Sequence, residues 1–204
     1  MLRRMLLIGV LAIAALPWSI SGALAQQRPA YFPTRDVMVT YRITGRAARD
    51  VRQLKVRYTA ATQRMRVETD DMGMGYLLVD PRAHTARMVV PSVGQFVDVP
   101  LGRDRRAAML FSDRLNFIRR APDRTAGLGC TWWDVQGGRD TARACITEDG
   151  VILRAEGRGG DVAGSGLEAI RVDFGAQPER MFDLPRGAGA RDVQDLLRSF
   201  LRPH

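Results

Sequence analysis

Histidine and cysteine are scarce in this sequence, with two of each among 204 residues. His84 lies in a predicted turn and His204 is the last residue, so neither is placed to act as a catalytic base. Two histidines and two cysteines supply too few nitrogen and sulfur ligands for a typical zinc centre. We therefore predict no catalytic residue, no metal and no cofactor.

Two other signs of catalysis are also missing. The glycine-rich stretch at residues 157–166 has no Gly-Lys-Ser/Thr ending, so it is interpreted as a loop and not as a phosphate-binding loop. Carboxylate pairs such as Asp70-Asp71 are most simply acidic turn residues. A hydrolase is left as a rival hypothesis, which would require a perturbed carboxylate in a cleft.

Lysine is nearly absent, since Lys55 is the only one. Without Arg3 and Arg4 the chain has 29 basic and 22 acidic residues, a net charge of +7 that is carried almost entirely by arginine. An arginine-rich surface suits anionic lipid headgroups or nucleic acid. An export signal at the N-terminus speaks against nucleic acid as a ligand. Solvated arginines interspersed with aspartates are the simpler interpretation of the charge.

Only the N-terminus carries a long apolar run. Arg3 and Arg4 precede the apolar residues 5–20, and Ala23, Leu24 and Ala25 form the small-x-small pattern of a signal peptidase site. Residues 1–25 are predicted to be a signal peptide cleaved after Ala25. The alternative is an uncleaved membrane anchor, but the run is shorter than the roughly 20 residues needed to span a bilayer. We expect a periplasmic protein with no transmembrane segment after cleavage and, because residue 26 is Gln, no lipid attachment.

Most of the remaining chain has the two-residue period of β-strands. Residues 26–35, with Pro29 and Pro33, are expected to form a flexible leader, and residues 36–204 a single β-rich domain. Alternation of apolar and polar residues predicts strands at 36–43, 54–58, 64–68, 76–79, 86–90 and 95–99. Helical spacing is found at 104–120 and at 192–201. The predicted fold is mainly β: a single curved antiparallel sheet with one or two helices to cover it.

A pair of hairpins is predicted between residues 129 and 156. A turn at Gly137-Gly138 sets Cys130 opposite Cys145, Trp132 opposite Arg143 and Trp133 opposite Ala142. A second turn at Asp149-Gly150 sets Ile146 opposite Leu153, Ala144 opposite Ala155 and Arg143 opposite Glu156. The core face is assigned to Thr131, Trp133, Val135, Ala142, Ala144, Ile146, Leu153 and Ala155. The other face is assigned to the cysteines with Trp132, Arg143 and Glu156, where a guanidinium can stack on the indole and form an ion pair.

The two cysteines are predicted to form a disulfide, Cys130–Cys145, because an exported protein with two cysteines usually pairs them. The predicted register makes them a hydrogen-bonded pair, in which the Cβ atoms are farther apart than in the alternate type, so a bulge or a longer turn is expected to adjust it. A redox role is the rival interpretation, but no Cys-x-x-Cys motif is present.

Flexible and flat apolar side chains suggest a ligand cavity. Methionine and phenylalanine adapt well to acyl chains. The candidate cavity residues are Met65, Met88, Phe96, Met109, Phe111 and Trp133. Ordinary core packing is the alternative interpretation of the same residues.

The chain also resembles a known family. Residues 76–100 (YLLVDPRAHTARMVVPSVGQFVDVP), preceded by MRVE at 65–68, and the later segments CTWWDV and CITEDGVILRAEG resemble an exported bacterial family of unknown function. That family is grouped with the periplasmic lipoprotein-carrier superfamily, the LolA/LolB-like fold. The resemblance covers most of residues 36–185. It implies an open β half-barrel whose concave apolar side is covered by helices and accommodates lipid chains.

The leading hypothesis is therefore a non-enzymatic periplasmic protein that binds a lipid, a lipoprotein or another amphiphile on the concave face of the sheet. The alternative is a cell-envelope protein-interaction module without a small ligand. No cavity-lining residue can be transferred from the resembling family position by position. Lipoprotein transport is thus permitted by the fold but not indicated by particular residues.

Overall fold

The computed structural model describes residues 28–49, 51–69, 75–99 and 115–190. They contain twelve β-strands: β1 (Val37–Gly45), β2 (Gln53–Tyr58), β3 (Met65–Thr69), β4 (Tyr76–Asp80), β5 (Thr85–Val90), β6 (Gln95–Val99), β7 (Asn116–Thr125), β8 (Leu128–Gly137), β9 (Asp140–Ile146), β10 (Ile152–Gly159), β11 (Ser165–Phe174) and β12 (Gly189–Ala190). The helices within these ranges are short 3₁₀ turns at Arg46–Arg49, Pro91–Val93, Gly160–Val162 and Glu179–Phe182. The predicted mainly-β fold is confirmed.

All twelve strands belong to one open, curved sheet in the order β12-β6-β5-β4-β3-β2-β1-β11-β10-β9-β8-β7. β1 to β6 pair successively as an antiparallel meander, and so do β7 to β11. The pairing of β1 with β11 joins the two halves, and the short β12 adds to β6 in parallel. This open sheet is the architecture that the family resemblance implied.

One predicted helix is partly wrong. Residues 116–120 of the helix expected at 104–120 lie in β7, where Asn116 pairs with Gln136 and Phe117 with Val135. Leu115 and Phe117 both pack into the cluster around Trp133, which is the two-residue period of a strand. The rest of that segment and the helix expected at 192–201 lie outside the described residues.

Apolar side chains gather in three clusters. The main cluster joins β1, β2 and β8 to β11 and includes Val37, Val39, Tyr58, Trp132 and Leu153. The second cluster surrounds Trp133, and the third surrounds Tyr76 and Val89. Because neighbouring residues of a strand point to opposite faces, the burial of both Trp132 and Trp133 means that β8 is covered on both sides.

The hairpin of β8 and β9 is confirmed, but its predicted register is shifted. The two-residue connection is Gly138-Arg139, flanked by the pair Gly137 and Asp140, so that Trp132 lies opposite Cys145. Gly138 has φ +63°, the left-handed conformation that this turn requires. Every partner moves by two positions relative to the prediction. A shift of two retains each side chain on its predicted face.

The disulfide Cys130–Cys145 is confirmed. The two Cα atoms are 5.4 Å apart, within the range of a normal bridge. Since Cys145 lies opposite Trp132, Cys130 is its diagonal neighbour on the same face. The diagonal placement avoids the hydrogen-bonded pairing that the sequence analysis identified as unfavourable.

The pairing in the second predicted hairpin differs from the prediction because β10 contains a bulge. Ala155 faces Ala144 and Glu156 faces Arg143 as expected, but Ile146 faces Ile152 and not Leu153. The irregularity between Ile152 and Arg154 places Leu153 in the main cluster, away from the face predicted for it. The assignment of the core to one face of the hairpins is thus incomplete, because the face with the cysteines carries the main cluster.

The expected stacking of Arg143 on Trp132 is present, with 4.6 Å between the guanidinium carbon and the ring centroid. The ion partner of Arg143 is Asp134, at 3.8 Å, and not Glu156. Glu156 pairs with Arg154 and Arg158.

Within the segment expected as a leader, residues 28–35 contact the sheet. The Phe32 ring is stacked on Tyr58, and Tyr31 makes an edge contact with Phe117. The backbone N–H of Thr34 donates to the carbonyl of Asp149, and Arg35 forms a 2.7 Å ion pair with the Asp149 carboxylate. This segment therefore links the main and second clusters.

Candidate ligand-binding face

The strand registers place apolar side chains side by side across the sheet. One transverse row consists of Val39, Val56, Val67, Leu77, Met88 and Val97. A second row consists of Val37, Tyr58, Met65, Val79, Ala86 and Val99. Residues directly opposite one another in antiparallel strands lie on the same face, so both rows share one side of β1 to β6. We call these twelve residues the apolar face.

Burial varies along the first row. Val39, at its β1 end, is 3% exposed and belongs to the main cluster. Val56, Val67, Leu77 and Met88 are only half-buried. Four adjacent strands thus present half-buried aliphatic side chains, a contiguous surface onto which another apolar group can pack.

The opposite side of the same strands is basic. Its matching row contains Arg57, Arg66 and Arg87, with Leu78 between the last two. The Arg66 guanidinium lies 3.4 Å from the centroid of the Tyr76 ring and forms a 2.6 Å ion pair with Glu68. In this half of the sheet the guanidinium groups thus lie on the side opposite the apolar face, which they share with the third cluster.

Residues 176–188, which we call the strap, return from β11 to β12 across the basic side. Arg64 donates to the carbonyl of Phe182 and Arg66 to that of Met181, while Gln177 accepts from Arg57. Leu184 packs on the third cluster. The apolar residues of the strap have neither helical nor alternating spacing, so its path could not be predicted from the sequence.

Two cavities lie on or beside these surfaces. One, of about 320 Å³, lies between the strap and β3 to β5 and is bordered by Arg64, Met65 and Leu184. The other, of about 330 Å³, lies over β2, β1 and β11 and is bordered by Thr40, Lys55 and Arg171. Both have charged groups in their walls, unlike a typical acyl-chain cavity.

The structure brings together only some of the predicted cavity residues. Met65 and Met88 lie on the apolar face. Phe96 is on the other side of the sheet, where it packs on the third cluster, and Trp133 is in the second cluster. Met109 and Phe111 lie outside the described residues. A cavity formed by these six residues therefore stays a prediction.

Other members of the apolar face were not identified from the sequence as candidate site residues. Val56, Val67, Leu77 and Val97 belong to strands that alternation predicts. Their alignment into one row depends on the register between strands, which alternation within a strand does not contain.

Hydrogen bonding and burial shift the pKa values of two groups in the sheet, Asp123 and Tyr41. Trp132 donates a 2.8 Å hydrogen bond from Nε1 to Asp123, and this bond is the main cause that lowers the pKa of the Asp123 carboxyl. A lowered pKa favours the ionised form, which is the opposite of what a general acid needs at neutral pH. Burial raises the pKa of Tyr41, whose hydroxyl donates to the carbonyl of Ile152.

Neither a metal site nor a membrane-spanning helix is found in the described part of the chain. Within residues 28–49, 51–69, 75–99 and 115–190, His, Cys, Asp and Glu form no group of three or more suited to a metal ion. In the same ranges, no helix has the length and apolar character required to traverse a bilayer.

Comparison with known proteins gives a fold but no family. No protein-family model matches the sequence, and no curated protein does so. An uncharacterized conserved protein from Thermus thermophilus has a similar structure, with a TM-score of 0.50, 14% identity, and coverage of 78% of this chain and 91% of that one. PNGF-II is similar with a TM-score of 0.50 and 9% identity over 80% of this chain, which matches 32% of that protein's length. MucB in complex with MucA(peri) follows with a TM-score of 0.46, 12% identity, and coverage of 72% and 53%.

Proposed function

We propose that this protein is a non-enzymatic binding protein of the bacterial cell envelope that holds an amphiphile, such as a lipid or the acyl chains of a lipoprotein, against the apolar face. The observation that carries the proposal is the transverse row in which Val56, Val67, Leu77 and Met88 are half-buried. An acyl chain laid along this row contacts an aliphatic side chain at each strand, about every 4.8 Å.

The physical driving force is the removal of apolar surface from water. Each methylene buried against the row contributes about 0.8 kcal/mol. Met65 and Met88 add unbranched, polarizable side chains that adapt to ligands of different length. We therefore expect selectivity for amphiphiles as a class and weak discrimination between chain lengths.

The proposed location follows from the N-terminus and the disulfide. The Cys130–Cys145 bridge is typical of an exported protein. Cleavage after Ala25 is the corresponding proposal for the signal peptide, and N-terminal sequencing of protein recovered from a periplasmic fraction tests it.

A test of binding uses the exported protein purified without detergent. Native mass spectrometry is expected to show a co-purifying amphiphile, and a fluorescent fatty acid is expected to bind saturably. Leu77→Gln and Met88→Gln should each weaken that binding about tenfold, because each removes roughly 1.4 kcal/mol of apolar contact. Val93→Gln is the matched control, since Val93 is 46% exposed in the Pro91–Val93 turn, outside the apolar face.

The binding proposal fails if the wild-type protein takes up no fatty acid, or if Val93→Gln weakens uptake as much as the two variants of the apolar face. Circular dichroism of each variant checks that the sheet is intact.

A second candidate is a protein-interaction module without a small ligand. The exposed edge strand β7 favours it: Asn116 and residues 118–124 are exposed, and β7 has β8 as its only described strand neighbour. An unpaired strand edge offers backbone groups to a partner. Two results together would favour this candidate over amphiphile binding. Crosslinking from β7 in cells would recover one envelope protein, and the purified protein would take up no fatty acid.

A further inference from the structure

A groove on the basic side of the sheet collects positively charged and hydroxyl groups. Its lining is Met38, Thr40, Gln53, Leu54, Lys55 and Arg171, and its volume is about 330 Å³. Thr40 of β1 pairs with Lys55 of β2 on one side and with Arg171 of β11 on the other. Cross-strand partners share a face, so these three side chains form one transverse row. We call this the basic groove.

Lys55 has no ionic partner among the described residues. Its cross-strand neighbour on the far side is Glu68, but that carboxylate is bound to Arg66 at 2.6 Å. Lys55 is half-buried and lines the basic groove, and its ammonium group carries three N–H donors. An ammonium group without an ionic partner is available to an anion in the groove.

Arg171 is oriented with its outer donors free. Its Nε donates to both carboxylate oxygens of Asp173, at 2.9 and 2.7 Å. No described residue accepts from its two terminal nitrogens, which retain four N–H donors. Asp173 therefore contacts only the Nε side of this exposed guanidinium, and its outer edge is available for bidentate contact with an oxyanion.

A β-bulge lies at the same point. Thr40 pairs with Arg171 and Tyr41 with Ala169, so that Ile170 has no partner in β1. Bulges change the direction of neighbouring side chains and are frequent beside functional sites. The irregularity in an otherwise regular β1–β11 ladder thus coincides with the basic groove.

We propose that the basic groove binds a phosphate group, with Lys55, Arg171 and the Thr40 hydroxyl as donors. Three donor groups around one recess suit the terminal oxygens of a phosphate monoester. The volume of the groove accommodates the phosphate together with a small organic substituent. The site is separate from the apolar face, because Val39 and Val56, the chain neighbours of Thr40 and Lys55, point to the other side.

The test is a titration of the exported protein with glycerol 1-phosphate at constant ionic strength, followed by calorimetry and by the backbone amide resonances of Thr40, Lys55 and Arg171. Saturable binding with shifts confined to these strands is expected. Lys55→Gln and Arg171→Gln should each weaken it about tenfold, the usual scale of one charge-assisted hydrogen bond. Arg87→Gln is the matched control, since it removes the same charge from the same side of the sheet at β5.

Equal weakening by Arg87→Gln, or a response without saturation, would overturn the proposal, because general attraction by the positive chain would then account for it. Vesicles separate the two sources of the phosphate. Binding to phosphatidic acid vesicles but not to phosphatidylcholine vesicles, abolished by Lys55→Gln, identifies a lipid headgroup. Binding of glycerol 1-phosphate without vesicle binding identifies a soluble phosphorylated molecule. Neither result depends on the apolar face, so failure here leaves amphiphile binding untouched.

Discussion

Gly150 determines how closely the N-terminal segment approaches the sheet. Its φ is +82°, and a Cβ at this position would meet the carbonyl group of Phe32 and the Cβ of Ala30, all within 3.0 Å. Phe32 in turn stacks on Tyr58 of the main cluster. Because Gly150 has no side chain, the N-terminal segment can reach the main cluster.

We expect Gly150→Ala to destabilise the protein by more than Gly127→Ala. Gly127 has φ +77° but open space around it, so its replacement costs only the backbone strain of about 1–2 kcal/mol. At Gly150 the same strain is combined with displacement of the Phe32 backbone. Urea unfolding of both variants measures this difference in stability. Equal unfolding midpoints would show that the close contact between Gly150 and Phe32 contributes nothing to the stability.

Asp123 gives a second prediction for a single residue, in its response to acid. The pKa of Asp123 is lowered in the folded protein, mainly by the hydrogen bond from Trp132 and next by that from the backbone N–H of Arg124. A lowered folded pKa contributes stability above the unfolded value of about 3.8, and this contribution is lost as the pH falls through the folded value. Wild type and Asp123→Asn should therefore differ in Tm at pH 7 and converge from about pH 5 downward.

The control for this comparison is Asp98→Asn, which removes an exposed carboxylate paired with Arg87. Exposed ion pairs contribute little, so its Tm should follow that of the wild type at every pH. A Tm difference for Asp123→Asn that stays constant with pH would contradict the assignment.

Among the elements, the β8–β9 hairpin depends most on a covalent bond. The disulfide closes a loop with a sequence separation of 15 residues, and Cys145 is fully buried in the main cluster. We expect Cys130→Ala/Cys145→Ala to lower the free energy of unfolding by about 3 kcal/mol. Urea unfolding measures it, with the wild type under reducing conditions as the control. A loss below about 1 kcal/mol would mean that packing alone holds the hairpin.

Most strands could be predicted from the sequence, because alternation within a strand is a local property. The strands at 36–43, 54–58 and 76–79 lie within or close to β1, β2 and β4. Most of β7 could not be predicted in this way, because residues 118–124 of this edge strand are exposed and show no alternation of apolar and polar residues. The bulges in β10 and β11 could not be predicted either, because a bulge depends on the pairing with the neighbouring strand.

The site was less predictable than the strands. Met65 and Met88 were recognised as adaptable apolar residues, and both are on the apolar face. Phe96 has the same chemistry but lies one residue out of phase and faces the other side. Composition identifies residues that can contact an amphiphile, whereas the cross-strand register decides which of them share a surface.

At the scale of the whole molecule, the continuous sheet predicts cooperative unfolding. β1 and β11 join the two meanders through an antiparallel ladder that extends from Val37 to Gly45, and the main cluster crosses this boundary. The fluorescence of Trp132 and Trp133 reports on the packing of the main and second clusters, whereas far-ultraviolet circular dichroism reports on every strand. The two probes should give the same urea midpoint. Separate midpoints would show that β2 to β6 unfold independently.

The strap also limits how far the two strands that it connects can move apart. It leaves β11 near the middle of the sheet and continues into β12 at one edge, a distance of about 34 Å across seven strand spacings. Its thirteen residues reach about 45 Å when fully extended. The backbone of the strap therefore exceeds the distance that it crosses by only about 10 Å, and β11 and β12 can separate by no more than this while the chain remains intact.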